Sequence, residues 1–320
     1  MTPSHYVQQQ LDMLSAPLPV PVIESGIEEK IYTLLLSKKF RKYAVNPEYV
    51  EHIRSAIALN VSRGLPIKLT LVFGGYKLWR LPEAPEPDWA EVFSLIYYTN
   101  WLRPIAAIYK PGVIMDFYSD DVILEYMDNI PKSETEQYIA GFRNVLEFMK
   151  SYIPNNISFT LNRVGDQYRS YKDFIIELEQ SIEDVKKTFG GLPTLTPEQA
   201  KLVELNVRVK PGQTDDPKWK EKVFLIHEGY ARVSKRRPYY RCPDKIFVIT
   251  RPLKDSIAVG TTKTSVVKFW IGVGVLKKQG DSFVPHVYSP KQLSEGNFSI
   301  ENIHVDGLTG KNYTSMRVFS

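Results

Sequence analysis

One cysteine, Cys242, stands in a chain of 320 residues. A single thiol excludes an intrachain disulfide and a cysteine-built metal cluster. It also fits a reducing compartment. No apolar stretch approaches the ~20 residues that a membrane helix needs. The first residues lack the basic-then-apolar order of a secretion signal. The expected setting is therefore cytoplasmic, with no membrane partner. The histidines, His5, His52, His227, His286 and His304, show no metal-ligand spacing. Also missing are Gly-x-Ser-x-Gly, Gly-x-Gly-x-x-Gly and Gly-x-x-x-x-Gly-Lys-Ser/Thr. Their absence argues against a hydrolase elbow, a dinucleotide fingerprint and a P-loop. No long internal repeat or low-complexity tract is present, which removes repeat architectures.

What is present is ordinary in bulk and uneven in detail. Hydrophobic residues make up 43% and charged ones 24%, so a packed globular core is expected. Residues 1–160 carry 15 Lys/Arg against 18 Asp/Glu, a balance of −3, and residues 161–320 carry 26 against 18, a balance of +8. A basic half can meet a nucleic acid or another polyanion. Solvated lysines give the same balance.

Residues 1–22 read as an N-terminal arm, because Pro17, Pro19 and Pro21 block helix and favour extended chain. From Ile27 to Tyr43 apolar residues recur at helical spacing. Pro47 opens the next helix, which ends near Gly64. Strand-like runs follow at 67–73, 113–118 and 157–161, separated by helical patterns. Asp88 with Glu91, and Ser133 with Glu136, have capping-box spacing at helix starts. The segment 171–189 is amphipathic and stops at Gly190-Gly191. This alternation predicts an α/β fold, a Rossmann-like parallel sheet flanked by helices. Beyond Gly191 come helices at 197–207 and 217–230, then strands at 245–250, 256–259, 268–276 and 282–288. A boundary near residue 191 follows, with an α/β domain over 23–191 and a helical, then strand-rich, region over 192–320.

In an open parallel sheet, ligands bind beyond the carboxyl ends of the strands. The expected strands end in Tyr76 and Lys77, in Tyr118, Ser119, Asp120 and Asp121, and in Asn162 and Arg163. Two cations and two carboxylates on one rim suit a zwitterionic or phosphorylated small molecule. Lys77 and Arg163 can grip phosphate or carboxylate. Asp120 and Asp121 can hold an ammonium, move protons or cap the following helix. With Asp116 they can also form a Mg²⁺ site. The run Lys235-Arg236-Arg237-Pro238-Tyr239-Tyr240-Arg241 interleaves cations with aromatics, as a phosphate-and-base contact or as a solvated loop. The hydroxyl-rich turn 260–265 can line a pocket or simply close a hairpin.

The order of several pieces resembles the isocyanide (isonitrile) synthase family, which is also known from dityrosine and pyoverdine-cluster biosynthesis. The matching pieces are Gly64-Leu65-Pro66-Ile67 before a strand that ends in Gly74-Gly75-Tyr76-Lys77, then Pro87-Asp88-Trp89-Ala90-Glu91, Tyr109-Lys110-Pro111-Gly112 and Ser119-Asp120-Asp121. The resemblance covers residues ~50 to ~165, about a third of the chain. Lys77-Leu78-Trp79-Arg80 stands where the family has Lys-Ser-Pro-Asn, and Asp121 replaces a glycine. The family's C-terminal Arg-Leu-Ser-Ile-His-Pro stretch has no counterpart. The resemblance implies a Rossmann-like enzyme that turns the amino group of an aromatic amino acid into an isonitrile. Ribulose 5-phosphate would be the carbon donor and no metal would be needed. Lys77, Asp120 and Asp121 would then be catalytic. Tyr76, Tyr118, Ser119, Asn162 and Arg163 would bind substrate.

Two other functions compete with this small-molecule enzyme. One is a metal-dependent glycosyl- or nucleotidyl-type transferase that uses Asp116, Asp120 and Asp121 with Mg²⁺. The other is a nucleic-acid-binding protein that uses the basic C-terminal half.

Overall fold

The expected strands at 67, 113 and 157 form neighbouring rungs of one parallel sheet. The computed structural model describes residues 1–18, 25–74, 86–128, 130–207, 209, 211–237, 240, 242–250 and 253–319. Strands β1 (Ile67–Phe73), β2 (Val113–Ser119) and β3 (Ile157–Arg163) pair in register, Ile67 with Val113 and Val113 with Ile157. On the other side of β1 lies β4 (Lys245–Ile249), followed by the two-residue β5 (Ile257–Ala258). The order is β3-β2-β1-β4-β5 and every pair is parallel. The sheet therefore takes strands from both sides of residue 191, and the boundary expected there cuts through it. Sequence distance hid this, because β4 returns to β1 only after a long helical excursion.

A second sheet of order β7-β6-β9-β8 holds β6 (Val273–Gln279), β7 (Ser282–Tyr288), β8 (Phe298–Asn302) and β9 (Ser315–Phe319). The expected strand at 268–276 begins only at Val273. Residues 268–271 form a turn instead, with the Ile271 and Gly272 amides bonded to the Lys268 carbonyl.

At the N-terminus, α1 (Pro3–Asp12) is a helix, and its Tyr6, Val7 and Leu11 are buried. The segment read as an arm thus contributes to the core. Its apolar residues at 7, 11 and 14 lie one helical turn apart. Next come α2 (Ile27–Leu35), which stops well short of Tyr43, and α3 (Pro47–Ser62).

Between the two sheets lies α4 (Trp89–Ile108), buried on nearly every side. Its capping box forms as the sequence predicts, with Asp88 and Glu91 closing each other's backbone bonds. The box also ties the layers together. Asp88 Oδ1 accepts from the Gly274 amide (3.2 Å) on β6, Glu91 accepts from Tyr138 Oη (2.7 Å), and Trp89 Nε1 donates to the Ser315 carbonyl (2.8 Å). Gly274 is required by this approach, since a Cβ there would sit 2.4 Å from the Trp89 carbonyl carbon. Gly274→Ala is expected to cost about 1–3 kcal/mol through forced separation of helix and sheet. Urea unfolding checks it, and an unchanged midpoint would show that the layers are loosely coupled.

The next helices are α5 (Asp121–Asp128), α6 (Lys132–Met149), α7 (Tyr171–Thr188), α8 (Pro197–Asn206) and α9 (Trp219–Lys235). The Ser133–Glu136 box does not form, because the helix begins earlier with Pro131 at its N-cap. A short α10 (Pro290–Glu295) follows β7. Among the described residues no helix is long and apolar enough to cross a membrane.

Candidate active site

A cavity of about 770 Å³ opens at the carboxyl ends of β1, β2 and β4. The chain leaves β1 toward β2 on one side and comes back to β4 on the other. The cavity thus sits at the topological switch point, where open α/β sheets bind ligands. Its volume is in the range that encloses a small organic molecule.

Asp120 forms one wall, immediately after β2. Its amide donates to the Phe73 carbonyl (2.7 Å) and its carbonyl accepts from the Ile123 amide (3.1 Å). The backbone is thereby fixed between the end of β1 and the start of α5. The side chain is half-buried, and its Oδ1 accepts a hydrogen bond from Tyr230 Oη. Burial pushes the carboxyl up to about 7; the Tyr230 bond pulls it down, the Asp121 charge pushes it up and Lys268 pulls it down. A carboxyl that exchanges its proton near neutrality suits general acid–base work.

The facing wall comes from α9. His227, Tyr230, Ala231 and Ser234 line the cavity at steps of three, one and three, which is one face of a helix. The turn before β6 adds Lys268 and Trp270. Lys268 Nζ lies 5.6 Å from the centre of the Trp270 ring.

An aromatic floor completes the chamber. Tyr240 packs against Phe247 with centroids 4.4 Å apart and planes tilted by 41°, and its hydroxyl donates to Asp255 Oδ2 (3.0 Å). Tyr49 Oη accepts the Phe247 amide (2.8 Å), and His52 Nε2 bonds the Lys245 carbonyl (2.8 Å). A carbonyl can only accept, so His52 carries its proton on Nε2. These two α3 side chains satisfy the edge of β4 that the two-residue β5 does not reach.

The expected rim residues divide. Asp120 lines the cavity, whereas Tyr118, Ser119, Asp121, Asn162 and Arg163 do not. Tyr76 and Lys77 lie outside the described residues. Asp121 is fully buried and forms an ion pair with Arg163, which reaches Glu136 at 3.8 Å as well. Burial pushes the Asp121 carboxyl up, and the Arg163 charge and hydrogen bond pull against it. Asn162 donates to Thr160 Oγ1 (3.3 Å), and Ser119 is buried opposite Arg163 in the ladder. The cause is the strand order. β3 is an edge strand two positions from β1, so its end faces Asp121 and not the crevice between β1 and β4.

Asp116 is held elsewhere too. It accepts from Thr160 Oγ1 (2.6 Å) and pairs with Lys245 Nζ (2.8 Å). Burial acts to lower the Lys245 ammonium, but the bond and charge of Asp116 outweigh it. Asp116, Asp120 and Asp121 therefore each have a different partner. Among the described residues no group of three His, Cys, Asp or Glu side chains is placed to hold a metal ion.

Part of the basic run is built into the protein. Arg237 pairs with Glu177, lies 4.0 Å from the centre of the Tyr168 ring and donates to Tyr168 Oη (3.1 Å). Pro238, Tyr239 and Arg241 lie outside the described residues. The hydroxyl-rich turn closes on itself, with Thr261 Oγ1 bonded to the Val267 carbonyl (2.7 Å) and the Ser265 amide to Thr262 Oγ1 (3.0 Å). It does not line the cavity.

No family model matches the chain, and no curated protein matches it. Among solved structures, the crystal structure of the PvcA protein from Pseudomonas aeruginosa resembles it with a TM-score of 0.63. The two share 17% sequence identity over 92% of this chain and 100% of that one. At this identity the likeness shows a common fold.

Proposed function

We propose that the chain is a small-molecule enzyme distantly related to the isocyanide synthases, with its active site in the cavity at the β1/β4 switch point and Asp120 as the proton-transferring group. The observation that carries this reading is the Asp120 carboxyl, held near neutrality and bonded to Tyr230 inside a chamber of ligand size. The ordered turn and cap motifs, and the fold shared with PvcA, support the family assignment.

An aromatic amino acid is the proposed substrate and a sugar phosphate the carbon donor. The wall of Tyr49, Tyr240, Phe247 and Trp270 suits a ring. Lys254 and Lys268 suit a phosphate or carboxylate. An ammonium must lose a proton before its nitrogen can attack a carbonyl carbon, and a carboxylate near pH 7 can take it.

A thermal-shift and calorimetric screen tests the reading. Tyrosine, tryptophan or ribulose 5-phosphate should stabilise the protein, and an isonitrile assay follows from any hit. Stabilisation only by a nucleotide with Mg²⁺, or only by an oligonucleotide, would overturn it.

A further inference from the structure

The partner of Asp120 arrives from 110 positions away in sequence, on α9, and its placement has a traceable cause. The residue before Tyr230 is Gly229, where α9 crosses α7. Ser181 Oγ donates to the Gly229 carbonyl (2.9 Å). A Cβ at Gly229 would meet Ile182 Cγ1 at 2.7 Å and the Ile182 amide nitrogen at 3.1 Å. The helices therefore touch backbone to backbone one residue from Tyr230. Tyr230 also packs against Phe174 of α7, with ring centroids 6.3 Å apart at 77°. Its ring is braced while its hydroxyl reaches Asp120.

The two oxygens of Asp120 differ in consequence. Oδ1 accepts from Tyr230, and Oδ2 takes no hydrogen bond among the described residues. A carboxylate clamped at one oxygen presents the other at a fixed angle. We propose that Tyr230 is a positioning residue: its hydroxyl fixes Asp120 Oδ1 so that Oδ2 faces the substrate, and the close seat of α9 on α7 at Gly229 sets the hydroxyl in place. The role rests on Asp120 being the proton-transferring group. The other charged groups that act on Asp120 are Asp121, from the start of α5, and Lys268, from the turn before β6.

The test reads the Asp120 carboxyl directly, by carbon NMR of protein labelled on aspartate side chains, with Asp120→Asn to assign the signal. Tyr230→Phe keeps the ring and removes the donor. A hydrogen bond to a carboxylate favours its ionised form, so the Asp120 midpoint should rise by about one pH unit. Gly229→Ala, which leaves the tyrosine present but displaced, should move the midpoint the same way. A merely structural tyrosine would lower stability in both variants and leave the midpoint where it is, and that result would overturn the role. The ligand screen is a separate readout. An unmoved midpoint alongside binding of the proposed substrates removes only the positioning role. A shifted midpoint with no such binding removes only the substrate assignment.

Discussion

Asp120→Asn should leave the protein folded, stabilise it at pH 8 by about 2–4 kcal/mol and lower turnover by roughly 10²-fold or more. The stability part follows from proton linkage. In the unfolded chain the aspartate ionises near its ordinary 3.8, whereas in the fold burial holds it near 7. Between those values the folded state keeps a proton that the unfolded state has released. Stability therefore falls as pH rises from about 4 to about 7, and the loss is complete above 7. Asparagine has the same shape, still accepts from Tyr230 and cannot ionise. The variant and the parent should match near pH 4 and diverge toward pH 8. Urea unfolding across this range checks the sign. The catalytic part follows from removing the carboxyl proposed to take the proton in the cavity. A variant less stable than the parent at pH 8 would mean that the charged carboxylate stabilises the fold.

Arg163→Leu should cost about 3–5 kcal/mol at pH 8. Asp121 is fully buried and Arg163 is largely so, with its side chain 20% exposed. Removing the guanidinium strands a carboxylate in a site that cannot hydrate it. The cost should shrink at pH 5, where the orphaned carboxyl can take up a proton. Asp121→Asn in the same background should recover part of the loss, because it removes the stranded charge. A surface pair would show less than about 1 kcal/mol at either pH. That outcome would return Arg163 to the pool of residues available for substrate. The expected result instead makes it a structural cation that anchors the start of α5, and with it the neighbouring Asp120.

The fold was legible where local rules agree. Strands at 67, 113 and 157 and the Asp88–Glu91 box stand close to where pattern and cap chemistry put them. The turn and cap motifs that carry the family resemblance are also largely marks of fold. Gly112 adopts a φ of 75°, and a Cβ there would lie 1.7 Å from the Asn156 carbonyl oxygen, so only glycine fits that entry to β2. Such residues announce a backbone path and say little about a reaction.

The site was legible only in part. Asp120 follows a strand and could be found by the strand-end rule. Tyr230 could have been flagged by the polar face at 227, 230 and 234, but nothing local says which strand that face meets. Lys268 and Trp270 were concealed by their apolar neighbours. The run from Lys268 reads as strand, yet Phe269 packs inward against Phe73 and Phe142 while the backbone turns. Asp121 and Arg163 misled in the other direction. Two opposite charges at adjacent strand ends look like a binding rim, until their side chains are seen to form an ion pair with each other.

The most direct measurement is the proton-binding midpoint of the Asp120 carboxyl in the unmodified protein, followed by carbon NMR from pH 4 to pH 9. The account predicts a midpoint close to 7. A midpoint near 4 would mark an ordinary solvated carboxylate and contradict the assignment of Asp120 as the group that moves protons in this cavity.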